Sequence, residues 1–401
     1  MKQPPTRYFS LVSLLLILIV VSCATKEPST QTPVIMAYYV PERDWQPASI
    51  PVEQLTHIIF SFTHVIDGTM QFSQPAISGP KLRELVAQKR RNPDLKVMIA
   101  CGGWGADGFS DMALTAESRQ QFVASAQAFI QDYALDGLDI DWEYPAISGA
   151  GTRARPEDKE NFTLLMQELR AALDELDRPQ TLTFASAGWK RYYDNLELEP
   201  VMEAADFMNI MTYDQVTGVS VYTGHHTPLG AVPRTALEGL PMADFLDSLH
   251  QAESAEGWTT DADTRSIEKI VDYLITRGVD PRQLVIGAAF YGRAWKGVPP
   301  TNLGLYQLSR GIHIGWYAYH QIRQHIEPDS LYVRYWDPEA QAPFFYNARD
   351  SILLSYDDTV SVRLKMDYAI RQGLGGLMFW ELGNDTKEPN GLLDAIYSST
   401  H

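Results

Sequence analysis

Three carboxyl side chains alternate with apolar ones along the short segment from Gly137 to Glu143, which reads G-L-D-I-D-W-E. Because successive side chains of a β-strand point to opposite faces, Asp139, Asp141 and Glu143 would share one face. Neighbouring carboxyls on that face would lie about 6–7 Å apart, and in a poorly hydrated interior they cannot all stay ionised without cost. We therefore expect at least one of them to hold a proton near neutral pH, with Glu143 as the general acid of a paired-carboxylate glycosidase.

Eight short runs of β-branched and aromatic residues recur from Val34 onward, with amphipathic stretches between them. This alternation predicts parallel β/α units, and eight of them predict a (β/α)8 barrel. An open doubly wound sheet is the alternative, but no glycine-rich phosphate loop follows the first run. The predicted strands are Val34–Val40, His57–Phe62, Lys96–Cys101, Gly137–Glu143, Thr181–Ala187, Asp206–Thr212, Leu284–Phe290 and Gly375–Trp380. The predicted helices lie near residues 80–91, 117–133, 157–176, 266–277 and 361–372.

A barrel would fix the direction in which the acidic face points. Leu138, Ile140 and Trp142 would pack against the surrounding helices, so the acids would face inward at the mouth. A solvated strand face is one alternative, but barrel strands have no exposed side. A metal site is another, but it needs histidine or further oxygen ligands that this segment does not provide. We predict that the chain uses neither a metal nor a cofactor.

The interval between the last two predicted strands is too long for a simple loop. Residues 294–352 are dense in Tyr, Trp and Phe that alternate with polar residues. Because long structureless loops are uncommon inside compact domains, this segment is predicted to form a small α+β insertion. The insertion should wall one side of the site.

The composition fits a large folded domain and argues against anionic partners. The 401 residues are 45% hydrophobic and 21% charged, which is not the composition of a disordered chain. The formal net charge of −17 would repel phosphate backbones, which are bound by clustered Lys and Arg. We predict no nucleic-acid partner and a neutral or cationic ligand.

The N-terminus has the pattern of an export signal. Basic residues precede an apolar run over residues 11–21 that is too short to span a bilayer comfortably. The run leads into V-V-S-C, ending at Cys23, which resembles a bacterial lipobox; an ordinary signal peptide with a chance cysteine is the alternative. We predict a lipoprotein signal peptide over residues 1–22, a lipidated tether over 23–33 and a catalytic barrel over 34–398. The protein would be exported and lipid-anchored through Cys23, at the outer membrane or cell surface of a Gram-negative bacterium.

The segment D-G-L-D-I-D-W-E, residues 136–143, resembles the signature of glycoside hydrolase family 18, the chitinases and related N-acetylglucosaminidases. The resemblance spans nearly all of the mature chain. The aromatic insertion also resembles that of the chitinase branch with deep clefts. Other matching pieces occur in order, nearly all at the carboxyl end of a predicted strand: Tyr38-Tyr39, Gly102-Gly103-Trp104, Met211-Thr212-Tyr213-Asp214, Phe290-Tyr291-Gly292-Arg293 and Trp380.

The resemblance implies hydrolysis of β-1,4-N-acetylglucosamine linkages in chitin or its oligomers, with retention of configuration. Glu143 would protonate the leaving oxygen, and the substrate's own N-acetyl carbonyl oxygen would be the nucleophile. Asp141 would hydrogen-bond the acetamide N–H and share a proton with Asp139, while Tyr213 would donate its hydroxyl to the acetamide oxygen. The residues implied in substrate binding are Tyr38, Phe62, Gly103, Trp104, Asp136, Tyr144, Met211, Asp214, Tyr291, Arg293 and Trp380.

The resemblance also implies a departure at Ala100, where relatives commonly carry a serine that supports the aspartate corresponding to Asp139. We expect Asp139 to lack one hydrogen-bond donor and to hold its proton more tightly. Cis non-proline peptide bonds are implied at Ser61-Phe62, Glu143-Tyr144 and Trp380-Glu381.

Two other functions use the same fold. One is an endo-β-N-acetylglucosaminidase that cuts the core of N-glycans, although Tyr144-Pro145 and the long insertion favour a chitinase. The other is a non-catalytic, lectin-like chitin-binding protein; such relatives have typically lost the acid, whereas Glu143 is intact.

Overall fold

The computed structural model describes Met1, residues 32–43 and residues 45–401. Cys23, the predicted signal peptide and almost all of the predicted tether lie outside the described residues. The strands are β1 (Val34–Tyr39), β2 (His57–Ile66), β3 (Thr69–Gln71), β4 (Lys96–Gly102), β5 (Gly137–Asp141), β6 (Thr181–Ala187), β7 (Phe207–Met211), β8 (Leu284–Ala289), β9 (Tyr291–Lys296), β10 (Ile312–Ala318), β11 (Val333–Asp337), β12 (Ala342–Asn347), β13 (Ile352–Ser355) and β14 (Gly376–Trp380).

Helices lie between the strands along the described chain. They are α1 (Pro75–Val86), α2 (Phe109–Met112), α3 (Ala116–Tyr133), α4 (Asp158–Asp174), α5 (Lys190–Asp194), α6 (Leu198–Ala204), α7 (Pro241–Ala255), α8 (Ile267–Thr276), α9 (Tyr319–Gln321), α10 (Thr359–Gln372) and α11 (Leu392–Ser398). Among residues 32–43 and 45–401, no helix is long and apolar enough to cross a bilayer.

Eight parallel strands close into a barrel in the order β1, β2, β4, β5, β6, β7, β8 and β14, and β14 pairs with β1 again. The predicted (β/α)8 barrel is therefore confirmed. The predicted strand limits agree with the structure to within two residues, except that β2 continues to Ile66 and forms a hairpin with β3.

Side chains of the barrel strands divide between two cores, as the alternation on β5 predicts. Leu138 and Ile140 belong to the large cluster between the strands and the helices. Met36, Met98 and Met378 belong to a smaller cluster inside the barrel. The acidic face of β5 therefore points into the barrel.

Local signals explain where the longer helices begin and end. Helix α10 starts after Asp358, whose side chain accepts hydrogen bonds from the amides of Val360 and Ser361. It stops at Gly373, which has a φ of 65° and adopts the left-handed conformation that glycine allows. Helix α3 begins with a capping box between Thr115 and Ser118. Helix α10 packs against β8 and β14 on the outside of the barrel, and α3 packs against β3 and α4.

The predicted insertion is a five-stranded antiparallel sheet in the order β10, β9, β13, β12 and β11. It spans residues 291–355, slightly more than the predicted 294–352. One face of this sheet shares a second core with helix α7, which includes Trp295, Leu353 and Leu246. Because β9 starts two residues after β8 ends, this sheet begins directly at the mouth of the barrel.

Candidate active site

Asp139 lies in the barrel interior with no exposed surface and accepts three hydrogen bonds. Tyr38 Oη donates to Oδ2 at 2.9 Å, and Thr183 Oγ1 donates to Oδ1 at 2.6 Å. Asn209 Nδ2 donates to Oδ1 at 3.2 Å. Burial raises the pKa of Asp139 to about 6, while the bonds from Thr183, Tyr38 and Asn209 act in the opposite direction.

Asp141 is the next carboxyl on the same face and is also buried. Burial, together with the charges of Glu143 and Asp139, raises the pKa of Asp141 well above its ordinary value. In the part of the chain that the structure describes, Asp141 Oδ1 has no hydrogen-bond partner. This shift favours the protonated form of Asp141, and one of its oxygens remains available to a ligand.

Glu143 follows β5 at the mouth of the barrel and is 7% exposed. Burial raises the pKa of Glu143 to about 7, with a hydrogen bond from Tyr144 acting against the shift and the charge of Asp214 adding to it. A carboxylic acid with this pKa can deliver a proton near neutral pH and recover it afterwards.

Two glycines at the end of β4 allow the backbone to approach β5 closely. Gly102 has a φ of 126°, and a Cβ atom there would lie 2.0 Å from the carbonyl oxygen of Asp141. Gly103 donates its amide to the same oxygen at 2.9 Å, and a Cβ atom there would lie 2.9 Å from Phe62. Only glycine fits between Asp141 and Phe62.

Asp214, which follows β7, is held by two residues of β9. Arg293 forms a two-pronged ion pair with it, Nε to Oδ1 at 2.7 Å and Nη2 to Oδ2 at 2.8 Å. Tyr291 Oη donates to Oδ2 at 2.8 Å. Although burial acts to raise the pKa of Asp214, the nearby His226 ring and the hydrogen bonds and charge of Arg293 hold it well below the ordinary value. Asp214 is therefore a fully ionised carboxylate.

Tyr213 places a hydroxyl group beside the acids. Burial raises the pKa of Tyr213 well above its ordinary value, and the charges of Asp141 and Glu143 add to the shift. Its hydroxyl makes a weak contact with Met378 Sδ at 3.9 Å. Because sulfur is a poor acceptor, the Tyr213 hydroxyl can donate to a stronger acceptor that enters the site.

Aromatic rings form the floor and one rim of the cleft. Trp380, at the end of β14, stacks on Phe62 with a centroid distance of 5.5 Å and lies 5.7 Å from Tyr38. Trp104 is 67% exposed and meets the edge of Tyr144 at 6.4 Å. Flat exposed rings of this kind offer apolar faces for sugar stacking.

The model for the glycosyl hydrolases of family 18 matches residues 34–385. The chain belongs to glycosyl hydrolase family 18. It is 35% identical over 316 residues to "Chitinase A1" of Niallia circulans, covering 76% of this chain and 42% of that protein. It is 28% identical over 432 residues to "Chitinase B" of Serratia marcescens, covering 90% of this chain and 82% of that one. A solved family 18 N-acetylglucosaminidase from Paenibacillus barengoltzii aligns with a TM-score of 0.78 and 36% identity, covering 92% of this chain and 99% of that chain.

Most of the residues that the family 18 resemblance implied meet at the mouth of the barrel. Asp139, Asp141, Glu143 and Tyr213 lie together, and Asp214 with its two partners forms the adjoining wall. Met211 packs against the interior cluster that includes Tyr213. The cis peptide bonds predicted at Ser61-Phe62, Glu143-Tyr144 and Trp380-Glu381 are all present.

The substrate-binding assignment of Asp136 is wrong. Asp136 precedes β5, so it lies at the amino end of the strand, opposite to the mouth. Its carboxylate accepts from Lys89 Nζ at 2.7 and 2.6 Å and from the amide of Val97 at 2.9 Å. Arg178 Nη1 lies 3.4 Å from it. Asp136 therefore has a structural role at the bottom of the family 18 barrel, where it links the start of β5 to Lys89, Val97 and Arg178.

The expected shortage of donors at Asp139 is also wrong. Ala100 does lie opposite Asp139 in the register of β4 and β5, and its side chain has no hydroxyl that could donate to that carboxylate. Thr183 and Asn209, on β6 and β7, supply the donors instead. Neither residue was singled out in the sequence. The available signal was polar residues on two successive barrel strands. Thr183 is in register with Asp139, and Asn209 pairs with Ala185, two residues further along β6.

Proposed function

We propose that the chain hydrolyses β-1,4-N-acetylglucosamine linkages in chitin and its oligomers with retention of configuration, using the substrate's acetamide as nucleophile. Membership of family 18 and the similarity to proteins named as chitinases support the substrate class. The insertion sheet beside the barrel mouth supports a deep cleft that holds several sugar units.

The observation that carries the mechanism is the pairing of Asp214. In a two-carboxylate mechanism a second carboxylate must attack the sugar carbon. Asp214 is ionised, but Arg293 occupies both of its oxygens and Tyr291 bonds one of them. Such a carboxylate is a poor nucleophile, because attack would break a partly buried, two-pronged ion pair. The acetamide oxygen of the bound sugar is then the nucleophile.

Asp141 and Tyr213 would hold that acetamide. The unpartnered Asp141 Oδ1 is an acceptor for the acetamide N–H, which increases the electron density on the carbonyl oxygen. The Tyr213 hydroxyl would donate to the carbonyl oxygen and fix its direction toward the anomeric carbon. Glu143 protonates the leaving oxygen in the first step and deprotonates the attacking water in the second.

Replacing Glu143 by glutamine tests the assignment of the acid. The amide has nearly the same shape but cannot donate an acidic proton, so Glu143→Gln should retain chitotetraose affinity and lose nearly all turnover. Calorimetry measures the affinity and reducing-sugar release the rate. More than a few per cent of the wild-type rate would place the acid elsewhere.

The configuration of the first products and the range of substrates test the rest of the proposal. The first products from chitotetraose should be β-anomers by proton NMR, whereas α-anomers would contradict retention. Fully deacetylated chitosan should not be cleaved, because it lacks the nucleophile. A high-mannose glycoprotein tested alongside separates a chitinase from an enzyme acting on N-glycans. Binding of chitotetraose without any turnover would indicate a lectin-like protein.

The similarity to a solved family 18 N-acetylglucosaminidase favours a second candidate, the release of single N-acetylglucosamine units from chain ends. Chromatography of the early products from chitohexaose distinguishes the two. Dimers and trimers would indicate internal cleavage or release of longer units, and monomers from the first time point would indicate chain-end action.

We propose further that the protein is exported and anchored by a diacylglyceryl group on Cys23, at the outer membrane or cell surface of a Gram-negative host. The apolar run and the lipobox-like V-V-S-C support this assignment. Cys23→Ala should abolish incorporation of labelled palmitate and move the protein out of the membrane fraction. Unchanged labelling of this variant would contradict the assignment.

A further inference from the structure

A pocket of about 200 Å³ lies outside the row of acids, between the loop that follows β7 and helix α7. One wall is the apolar face of α7, formed by Met242, Phe245, Leu246 and Leu249. The opposite wall begins at Gln215, one residue beyond Asp214. The space is on the scale of one sugar ring, and no role in the proposed hydrolysis uses it.

Arg265 contributes an unmatched positive charge to this pocket. Its side chain is half-buried and lies over the ring of Trp189, with the guanidinium carbon 5.5 Å from the ring centroid. Across residues 45–401 its guanidinium forms no hydrogen bond or ion pair, and the pKa of Arg265 is lowered by burial. The charges of Glu253 and Asp261 act against this shift.

Those two carboxylates are already paired with other cations. Asp261 lies 2.5 Å from Lys190 Nζ, and Glu253 lies 4.0 Å from Arg191 Nη1. A guanidinium remains charged at neutral pH, and a partly desolvated charge is stabilised by an anion that can reach it. Arg265 therefore presents five N–H donors to an incoming ligand.

Two acceptor atoms belong to residues on the same pocket wall. His225 Nε2 lies 3.1 Å from Asp337 Oδ2, so in the neutral ring Nε2 carries the proton and Nδ1 is an acceptor. His225 Nδ1 is buried and, among the described residues, has no partner; the same holds for Gln215 Oε1. Buried polar atoms are normally satisfied, so these two are available to hydroxyl or amide N–H groups of a ligand.

We propose that this pocket binds a carboxylate-bearing sugar. Arg265 pairs with the carboxylate, His225 Nδ1 and Gln215 Oε1 accept from hydroxyl or amide N–H groups, and the apolar face of α7 packs against the C–H face of the ring. The pocket adjoins the catalytic cleft, because Trp189 meets the edge of Tyr144 at 5.2 Å and Tyr144 follows Glu143. Binding of a monosaccharide here involves no glycosidic bond, so it can be tested independently of hydrolysis.

Isothermal titration at pH 7.5 with two matched pairs of sugars tests the proposal. Glucuronate is compared with glucose, and N-acetylmuramate with N-acetylglucosamine, so that each acid has a neutral counterpart. At least one acid should bind at least tenfold more tightly than its counterpart, which is about 1.4 kcal/mol. Arg265→Gln should remove this preference, and Arg277→Gln, an exposed arginine on the same stretch of chain, should retain it.

A second variant fills the pocket and keeps the charge of Arg265. Leu249→Trp adds volume to the α7 wall and should abolish binding of the acid without lowering the melting temperature by more than a few degrees. Equal affinity for acid and neutral sugar would overturn the proposal. So would unchanged binding in folded Arg265→Gln, or binding that survives Leu249→Trp.

Discussion

Thr183 is the donor whose loss should most directly change the pH dependence of catalysis. Its hydroxyl makes the shortest of the three hydrogen bonds to Asp139 described above, 2.6 Å to Oδ1, and Thr183 has no exposed surface. Thr183→Val keeps the shape of the side chain and removes the donor. Because that donor stabilises the ionised form, the pKa of Asp139 should rise further above its ordinary value.

The size of the pKa shift follows from the free energy that the hydrogen bond contributes. A hydrogen bond to a charged group contributes about 1.5–3 kcal/mol, and each pKa unit corresponds to about 1.4 kcal/mol. The pKa of Asp139, about 6 in the native protein, should then reach or exceed that of Glu143, which is about 7. The active form needs Glu143 protonated and Asp139 ionised, so that Asp139 can accommodate charge when Asp141 turns toward the acetamide.

A pH profile of kcat/KM on chitotetraose measures this shift. The acidic limb should move to higher pH, because Asp139 is protonated over a wider range. With the pKa of Asp139 raised by about 1.5, the maximum should fall by roughly fivefold and the rate at pH 5.5 by roughly twentyfold. The alkaline limb belongs to Glu143 and should stay in place.

Thr183→Ser is the matched control, because it retains the hydroxyl and removes only a methyl group. Its profile should follow that of the native protein. Coincident profiles for the valine and serine variants, or an acidic limb that moves to lower pH, would refute the proposed roles of Thr183 and Asp139. Circular dichroism and melting temperature establish that both variants are folded.

Three other predictions follow from the same site. The kcat/KM of the native protein on chitotetraose should fall about tenfold per pH unit above about pH 7, as Glu143 loses its proton, and a flat profile to pH 9 would contradict its role. Tyr213→Phe should lower kcat by about tenfold to a hundredfold and change KM by less than about threefold, whereas steady-state kinetics showing equal kcat values would exclude the hydroxyl from the transition state. Ala100→Ser should change kcat by less than about threefold, because Asp139 already accepts three hydrogen bonds; a tenfold rise would show that a donor is still missing.

The barrel was predictable because its strands are buried on both sides and leave a strong signal. Most barrel strands read as short apolar runs, β5 reads as an alternation of acids with apolar residues, and the eight predicted strands agree with the structure to within two residues, apart from the extension of β2. The short helices α5 and α6 and the longer α7 were not predicted. Their stability depends on contacts with the barrel and the insertion, which a local pattern does not contain.

The site residues could be predicted where several of them lie on a single strand. The D-x-D-x-E alternation on β5 places three acids together by geometry alone. Asp136 was misassigned because membership of a motif does not reveal which end of the strand a residue occupies. Thr183 and Asn209 were missed because their role depends on the register of β5, β6 and β7, a relation between segments far apart in the chain.

The position of strand β9 limits where the insertion can be shortened or exchanged. Tyr291 and Arg293, which fix Asp214, belong to the first strand of the inserted sheet and not to the barrel. A chimaera joined directly at the end of β8 would import these two residues from the donor or lose them altogether. Without them Asp214 would lose its ion pair and one hydrogen bond, its pKa would rise, and it could compete with Glu143 for the proton that cleavage requires. A graft should therefore be joined after Lys296, because the recipient then keeps its own Tyr291 and Arg293 and receives only a new cleft wall.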